Sequence, residues 1–203
     1  MGEFIIKTSG HNEAEFAETI CRQMEESAKA RGTGIARRSV DYIRRKMENG
    51  DAFVALEAST LNIAGFCYIE KWSHGNYIAN SGLIIFPEYR QFGLARRLKE
   101  YAFQESRIRF PDAKLFGLTT SSAVMHINSD LGYRPVIYES LTQDHEFWQG
   151  CQSCVNYSTL LSKNKKNCFC TAMLFDPARQ KKTAAIPSSS EQSDSEKNKE
   201  MAL

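Results

Sequence analysis

The stretch "LIIFPEYRQFGLARRLKEYAF", residues 83–103, decides the fold. An apolar run ends at Pro87, the chain turns through Arg90-Gln91-Phe92-Gly93-Leu94-Ala95, and an amphipathic pattern follows. This is a strand, a glycine turn and the start of a helix. The first turn of a helix leaves backbone N–H groups without partners, and the helix dipole makes that end positive. A pyrophosphate fits such an end without dedicated cations. Gly93 removes the Cβ that would block close approach, and Ala95 keeps the next position small. Arg90 and Arg96 are placed to add charge-assisted bonds. Taken alone, the hexapeptide reads equally well as a plain strand–turn–helix connection.

Outward from this stretch, "EFIIKTS" (3–9) reads as a first strand. Phe16, Ile20, Met24 and Ala28 then recur on one helix face from Glu13 to about Lys29. Val40, Ile43 and Met47 mark a short second helix ending at Asn49-Gly50. "AFVALEA" (52–58), "NIAGFCYIEKW" (62–72) and "YIANSGLIIF" (77–86) read as three strands joined by turns. The helix from Gly93 to about Arg109 should bury Leu94, Leu98, Ala102 and Ile108. "KLFGLTT" (114–120) is a strand, Ser121 to Leu131 a short helix, "RPVIYES" (134–140) a strand and "CFCTAMLF" (168–175) the last strand. The order is β-α-α-β-β-β-α-β-α-β, an insertion, then β. It makes a mixed α/β layer with one parallel crossover through the Gly93 helix.

Composition excludes several classes. The 203 residues are 42% apolar and 25% charged, ordinary for a globular domain with an appendage. No apolar run of about 18 residues is present to span a bilayer. The N-terminus lacks the basic and long apolar regions of a signal peptide, so a cytoplasmic location is expected. A net charge of +2 gives no case for nucleic acid. The six cysteines are then expected as thiols or metal ligands rather than disulfides. From Ala178 onward the chain is rich in Ser, Lys and Glu and should be disordered. The expected division is a domain over 1–177, containing a cysteine-bearing insertion at 139–170, and a tail over 178–203.

With its context, the turn resembles motif A of the GNAT N-acetyltransferase family, Q/R-x-x-G-x-G/A, filled here by Arg90, Gly93 and Ala95. The lead-in to Tyr89-Arg90 and the element order are similar to that family's as well. The resemblance implies a mixed, mostly antiparallel α/β sheet with helices on both faces. It also implies a splay between the strand at 77–86 and the strand at 115–120. Acetyl-CoA, or another short acyl-CoA, would lie in the splay. Its pantetheine arm would pair near Leu83, Ile84 and Ile85, and its pyrophosphate would sit at Arg90, Gln91, Phe92, Gly93, Leu94 and Ala95. Transfer would be direct attack by an amine, with a backbone N–H near Ile85 for the oxyanion and no Cys or Ser nucleophile.

Glu70 is the expected general base, by its place at the end of a strand facing the acceptor; the plain alternative is a solvated carboxylate beside Lys71 and His74. The family often has a tyrosine, four residues before the Gly-Phe of its motif B, to protonate the leaving thiolate. Here the pair is Gly132-Tyr133 and that place holds Asn128, which can hydrogen-bond sulfur but cannot act as an acid. That role is then unfilled, moved to His126 or Tyr133, or left to water.

The loop "EESAKARGTGIARRS" (25–39) carries Arg31, Arg37 and Arg38, and arginine suits bidentate carboxylate recognition. It reads also as a solvated basic loop. "LFGLTTSS" (115–122) is similar to a Leu-Thr-Thr stretch of N-acetylglutamate synthases and would point Thr119 and Thr120 at the acceptor. A small amine is the expected partner, such as glutamate in arginine biosynthesis, with a homodimer left open. Two other readings stand beside it: an acetyltransferase acting on proteins or peptides, and a non-catalytic acyl-CoA-binding module. Cys151, Cys154, Cys168 and Cys170 form a C-x2-C and a C-x-C pair. If Cys168 and Cys170 share a strand face, the four suit a structural zinc; buried free thiols are the alternative.

Overall fold

The computed structural model describes residues 2–30, 32 and 37–179. Its strands are β1 (Phe4–Thr8), β2 (Ala52–Glu57), β3 (Ile63–Trp72), β4 (Tyr77–Ile85), β5 (Lys114–Thr119), β6 (Arg134–Pro135) and β7 (Thr171–Phe175). They form one sheet in the order β1-β2-β3-β4-β5-β7-β6. Every pairing is antiparallel except β4 with β5. Helices α1 (Ala17–Ala30) and α2 (Val40–Glu48) pack on one face, through Ile20, Met24, Ile43 and Met47 against Val54, Phe66 and Tyr68. Helix α3 (Leu94–Arg109) packs on the other, through Leu94, Leu98 and Ala102 against Phe53, Cys67 and Ile69. Helix α4 (Ser122–Asp130) lies beside α3, its start capped by the Ser121 hydroxyl, which accepts from the Val124 N–H at 3.4 Å.

Two features of β4 position the site. It pairs with β5 only at Tyr77–Lys114, Ile78–Leu115 and Ala79–Phe116, after which the strands part. The expected splay is therefore present. In addition, the β3–β4 register jumps from Phe66–Ile84 to Tyr68–Ser81, leaving Gly82 and Leu83 opposite the single Cys67. This is a bulge, and it turns backbone out of the ladder at the mouth of the fork. Gly82 permits it: its φ is +66°, and a Cβ there would stand 2.4 Å from the Tyr68 ring.

The second half of the sheet is covered by α5 (His145–Gln149) and α6 (Tyr157–Ser162), on the same face as α1 and α2. Trp148 stacks on Tyr138 at 5.5 Å and its indole N–H donates to the Thr142 carbonyl at 3.0 Å. The Asp144 carboxylate accepts from the Ser73 N–H at 2.5 Å, tying this insertion to the β3–β4 turn.

Three sequence expectations are corrected. The strand at 134–140 shrinks to two residues, because β6 is the sheet edge, Pro135 has no N–H to donate, and the chain coils into a short 3-10 turn at Tyr138–Ser140. Cys168 and Cys170 lie outside β7, because β5 ends at Thr119 opposite Thr171 and offers nothing earlier to pair with. Ile108 is 74% exposed: α3 buries Lys99 and Ser106 along with its apolar residues, and that arc leaves Ile108 outside. Arg31 and most of the tail lie outside the described residues.

Candidate active site

At the open end of the fork the chain leaves β4, makes a 3-10 turn at Pro87–Tyr89 and enters α3 with Gly93 as N-cap. Gly93 has φ +71°, which glycine adopts without strain. A Cβ built there would meet nothing within 4 Å, so the space above the first turn is open. This cradle, together with the β4 edge beyond Ala79 that has no partner on the β5 side, fits an extended ligand ending in a pyrophosphate. Gln91 also has positive φ, +72°. Arg90 is turned inward. It donates through Nε to the Ile85 carbonyl at 3.2 Å and through a terminal nitrogen to the Ser27 hydroxyl at 3.2 Å. It braces the turn against α1. Arg96 bridges α3 to α4 by an ion pair with Asp130 at 2.6 Å. Leu94 is buried in the core, leaving its backbone to serve the turn.

Two buried polar networks meet at the fork from opposite faces. On the α1/α2 face, Glu70 is 5% exposed. Its carboxylate accepts from the Tyr42 hydroxyl at 2.5 Å and the Ser81 hydroxyl at 2.8 Å, and Arg38 stands 3.7 Å away. Burial, and then the Glu70 charge, push the Tyr42 hydroxyl upward, so it stays protonated and donates. Arg38 also donates to the Tyr68 hydroxyl at 3.0 Å and to the Gly150 carbonyl at 3.4 Å, joining the α1–α2 loop to the insertion. Glu70 is thus an anchored carboxylate rather than a solvated one.

On the α3/α4 face, Lys99 is 3% exposed. Its ammonium lies 3.4 Å from Asn80 Oδ1 and 5.4 Å from the centre of the Tyr133 ring. The Tyr133 hydroxyl donates to the same Asn80 oxygen at 2.6 Å, and Asn80 Nδ2 donates to the Ser106 hydroxyl at 3.2 Å. Asn128 is buried beside them. Its main-chain carbonyl accepts from the Tyr133 N–H at 3.0 Å, its Nδ2 lies 3.6 Å from the Met173 sulfur, and its Oδ1 has no partner among the described residues. Glu70 and Asn128 therefore flank the fork. His126 is exposed on the far side of α4.

Burial pulls the Lys99 ammonium from its ordinary 10.5 down to about 8. That difference corresponds to roughly 3 kcal/mol of lost stability at neutral pH. Between those two values the unfolded chain holds more protons, so stability rises with pH across the window. Lys99→Met should be more stable than the wild type near pH 7. Its advantage should shrink by about 3 kcal/mol by about pH 11, read by denaturant unfolding at both pH values.

The acceptor residues fare unevenly. Arg38 is engaged as described, Arg37 pairs with Glu25 at 3.0 Å on the surface, and the Arg37 N–H donates to the Ser153 hydroxyl. Neither extends a free guanidinium. Thr119 at the end of β5 accepts from the Ser121 N–H at 3.1 Å, and Thr120 is exposed.

The four insertion cysteines do converge. Cys151, Cys154, Cys168 and Cys170 line one small cavity with Tyr138 and Trp148. Burial, and then the neighbouring thiols, push Cys151 up to about 11 and Cys170 up to about 12. Among the described residues, however, no group of three or more His, Cys, Asp or Glu is placed to hold a metal ion. The zinc expectation is corrected for a physical reason: Cys168 and Cys170 are not on a strand face. Cys168 instead donates to the Asn156 carbonyl at 3.7 Å, and Cys154 accepts from the Asn156 N–H at 3.4 Å. Cys67, pushed by burial up to about 12, is no nucleophile at neutral pH.

No model of a known protein family and no curated protein sequence matches the chain. Solved structures do. An acetyltransferase of the GNAT family from Staphylococcus aureus matches at a TM-score of 0.61 and 12% identity, over 86% of this chain and 99% of that one. The chain has the GNAT fold. N-acetylglutamate synthase from Neisseria gonorrhoeae, solved with coenzyme A and N-acetyl-glutamate, matches at 0.61 and 13% identity over 87% of this chain. This GNAT-fold chain spans about a third of that synthase, 35% of its length. Diaminobutyrate acetyltransferase EctA from Paenibacillus lautus, in complex with its substrate and coenzyme A, matches at 0.57 and 7% identity, over 87% and 96%. Among the described residues, no helix is long and apolar enough to cross a membrane.

The residues missed from sequence are Tyr42, Asn80, Ser81 and Lys99. A signal for two of them existed: Asn80-Ser81 interrupts an otherwise apolar strand.

Proposed function

We propose that this protein transfers a short acyl group, acetyl first, from an acyl-coenzyme A to the nitrogen of a small amine. The fork between β4 and β5, closed at one end by pairing and open at the other onto the Gly93 cradle, carries this reading. The main chain of 83–85 and the first turn of α3 would hold the donor. Glu70, anchored by Tyr42 and Ser81, takes the proton that the amine loses, directly or through water. The backbone freed by the Gly82–Leu83 bulge supports the oxyanion, and Asn128 lies beside the sulfur, its Oδ1 placed to accept from the thiol S–H once the sulfur is protonated. An amino acid is the acceptor we favour, with glutamate first. The similar synthase holds N-acetyl-glutamate, and Thr119 and Thr120 stand at the end of β5.

The test is release of free coenzyme A thiol from acetyl-coenzyme A across a panel of amino acids and small amines. Thiol release that requires an acidic amino acid, with the acylated product seen by mass, is the expected result. Tight coenzyme A binding with no release for any amine would leave a binding module and overturn the transferase reading.

A further inference from the structure

We propose that Lys99 is the cation and proton donor for the sulfur that leaves when the acyl group is transferred. The inference rests on the acyl-transfer reading and adds to it the group that Asn128 cannot be.

Three observations carry it. First, Lys99 is a buried ammonium on which no carboxylate acts among the described residues. The groups that face it are Cys67 from β3, Asn80 from β4 and Tyr133 from the segment after α4. A buried charge is ordinarily paired, and an unpaired one is costly. Here only an amide oxygen and the face of an aromatic ring receive it, which leaves unmet attraction for an anion. Second, its place is the fork. Asn80, the acceptor for Lys99, is the first β4 residue beyond the last β4–β5 pair, and the Asn80 carbonyl lies 3.5 Å from where a Cβ on Gly117 would stand. Third, Lys99 adjoins Asn128 through one residue. Tyr133 lies under the ammonium and donates its N–H to the Asn128 carbonyl. Asn128 offers a buried, unpartnered oxygen and no acidic proton.

The step balances as follows. The amine nitrogen bonds to the acyl carbon, and the carbon–sulfur bond breaks with its electron pair on sulfur. Sulfur leaves as a thiolate paired with the Lys99 ammonium and takes a proton from Nζ as coenzyme A departs, leaving a neutral amine. The proton lost by the acceptor nitrogen goes through Glu70 to solvent, and solvent recharges Lys99. The net change is one proton moved from nitrogen to sulfur.

The experiment uses coenzyme A itself and needs no acceptor. Calorimetry first measures binding to the wild type, to Lys99→Met and to Asn80→Asp. Ultraviolet difference titration then follows thiolate formation by bound coenzyme A, with the protein's own thiols subtracted in a coenzyme-free sample. In the wild type the bound thiol should ionise about one to three pH units below free coenzyme A, the effect of a close opposite charge. In Lys99→Met it should ionise no lower than free coenzyme A. Asn80→Asp gives Lys99 a carboxylate partner and should also move the ionisation back up. A wild-type bound thiol that ionises like free coenzyme A overturns the proposal, whether or not the variants fold. Equal ionisation in the wild type and Lys99→Met also overturns it while leaving the acyl-transfer reading standing. Absence of coenzyme A binding by the wild type overturns that reading itself, and this inference with it.

Discussion

Replacing Gly93 by glutamate is expected to abolish coenzyme A binding while leaving the fold intact. The added side chain would enter the space that is open above the first turn of α3. It would bring a negative charge to the spot where the helix end attracts one. Losing two hydrogen bonds to a charged phosphate removes roughly 3–6 kcal/mol, a hundredfold to ten-thousandfold or more in affinity. The positive φ of +71° adds strain of about 1 kcal/mol for any non-glycine residue, a cost borne by folding. Gly93→Ala separates the two effects, since it carries the strain without the charge and should keep most of the binding. Calorimetry on both variants, with circular dichroism as the folding control, checks this. Unchanged affinity in Gly93→Glu would remove the phosphate turn from the site.

Glu70→Gln should lower the turnover number by about two to four orders of magnitude, the usual worth of a positioned general base. The amide keeps the shape and can still accept from the Tyr42 hydroxyl. It cannot take a proton, and it leaves Arg38 with less compensation at 3.7 Å. Coenzyme A affinity should stay within about threefold, because Glu70 lies on the α1/α2 face, away from the cradle. Stopped-time assays of thiol release, with denaturant unfolding as control, decide the matter. A turnover change of less than about threefold in a folded variant would make Glu70 a structural anchor for Arg38 and nothing more.

Much of this architecture was legible because it depends on local pattern. Pro87, Gly93 and the apolar spacing after it specify a strand, a turn and a helix without reference to distant residues. The crossover geometry then forces β4 and β5 to be parallel, and their parting shows in β5 keeping its pairs with β7 through Thr119 while those with β4 stop at Phe116. What was not legible depends on which side of an element is buried and by what. Lys99 looks like an ordinary surface lysine in a charged helix, and only the packed sheet shows that its arc of α3 faces inward. Arg38 reads as one of several loop cations, yet the insertion, over a hundred residues later, supplies the Gly150 carbonyl that fixes it. The pair at Cys168 and Cys170 was read by strand alternation, and it failed because strand length is set by the partner strand. Asn80 and Ser81 could have been singled out as polar residues in an apolar strand, but their separate roles appear only once both sheet faces are covered.

Asn80 and Ser81 are consecutive, and the alternation of the strand sends their side chains into separate compartments. A carboxylate and an ammonium placed in one compartment would quench each other as an ion pair, and neither would remain free to exchange a proton. Here the sheet acts as an insulator between Glu70 and Lys99, and the two charges stay in store on either side of a single peptide unit. In the proposed transfer a molecule lying in the fork would close the circuit, giving a proton up to Glu70 on one side and taking one from Lys99 on the other.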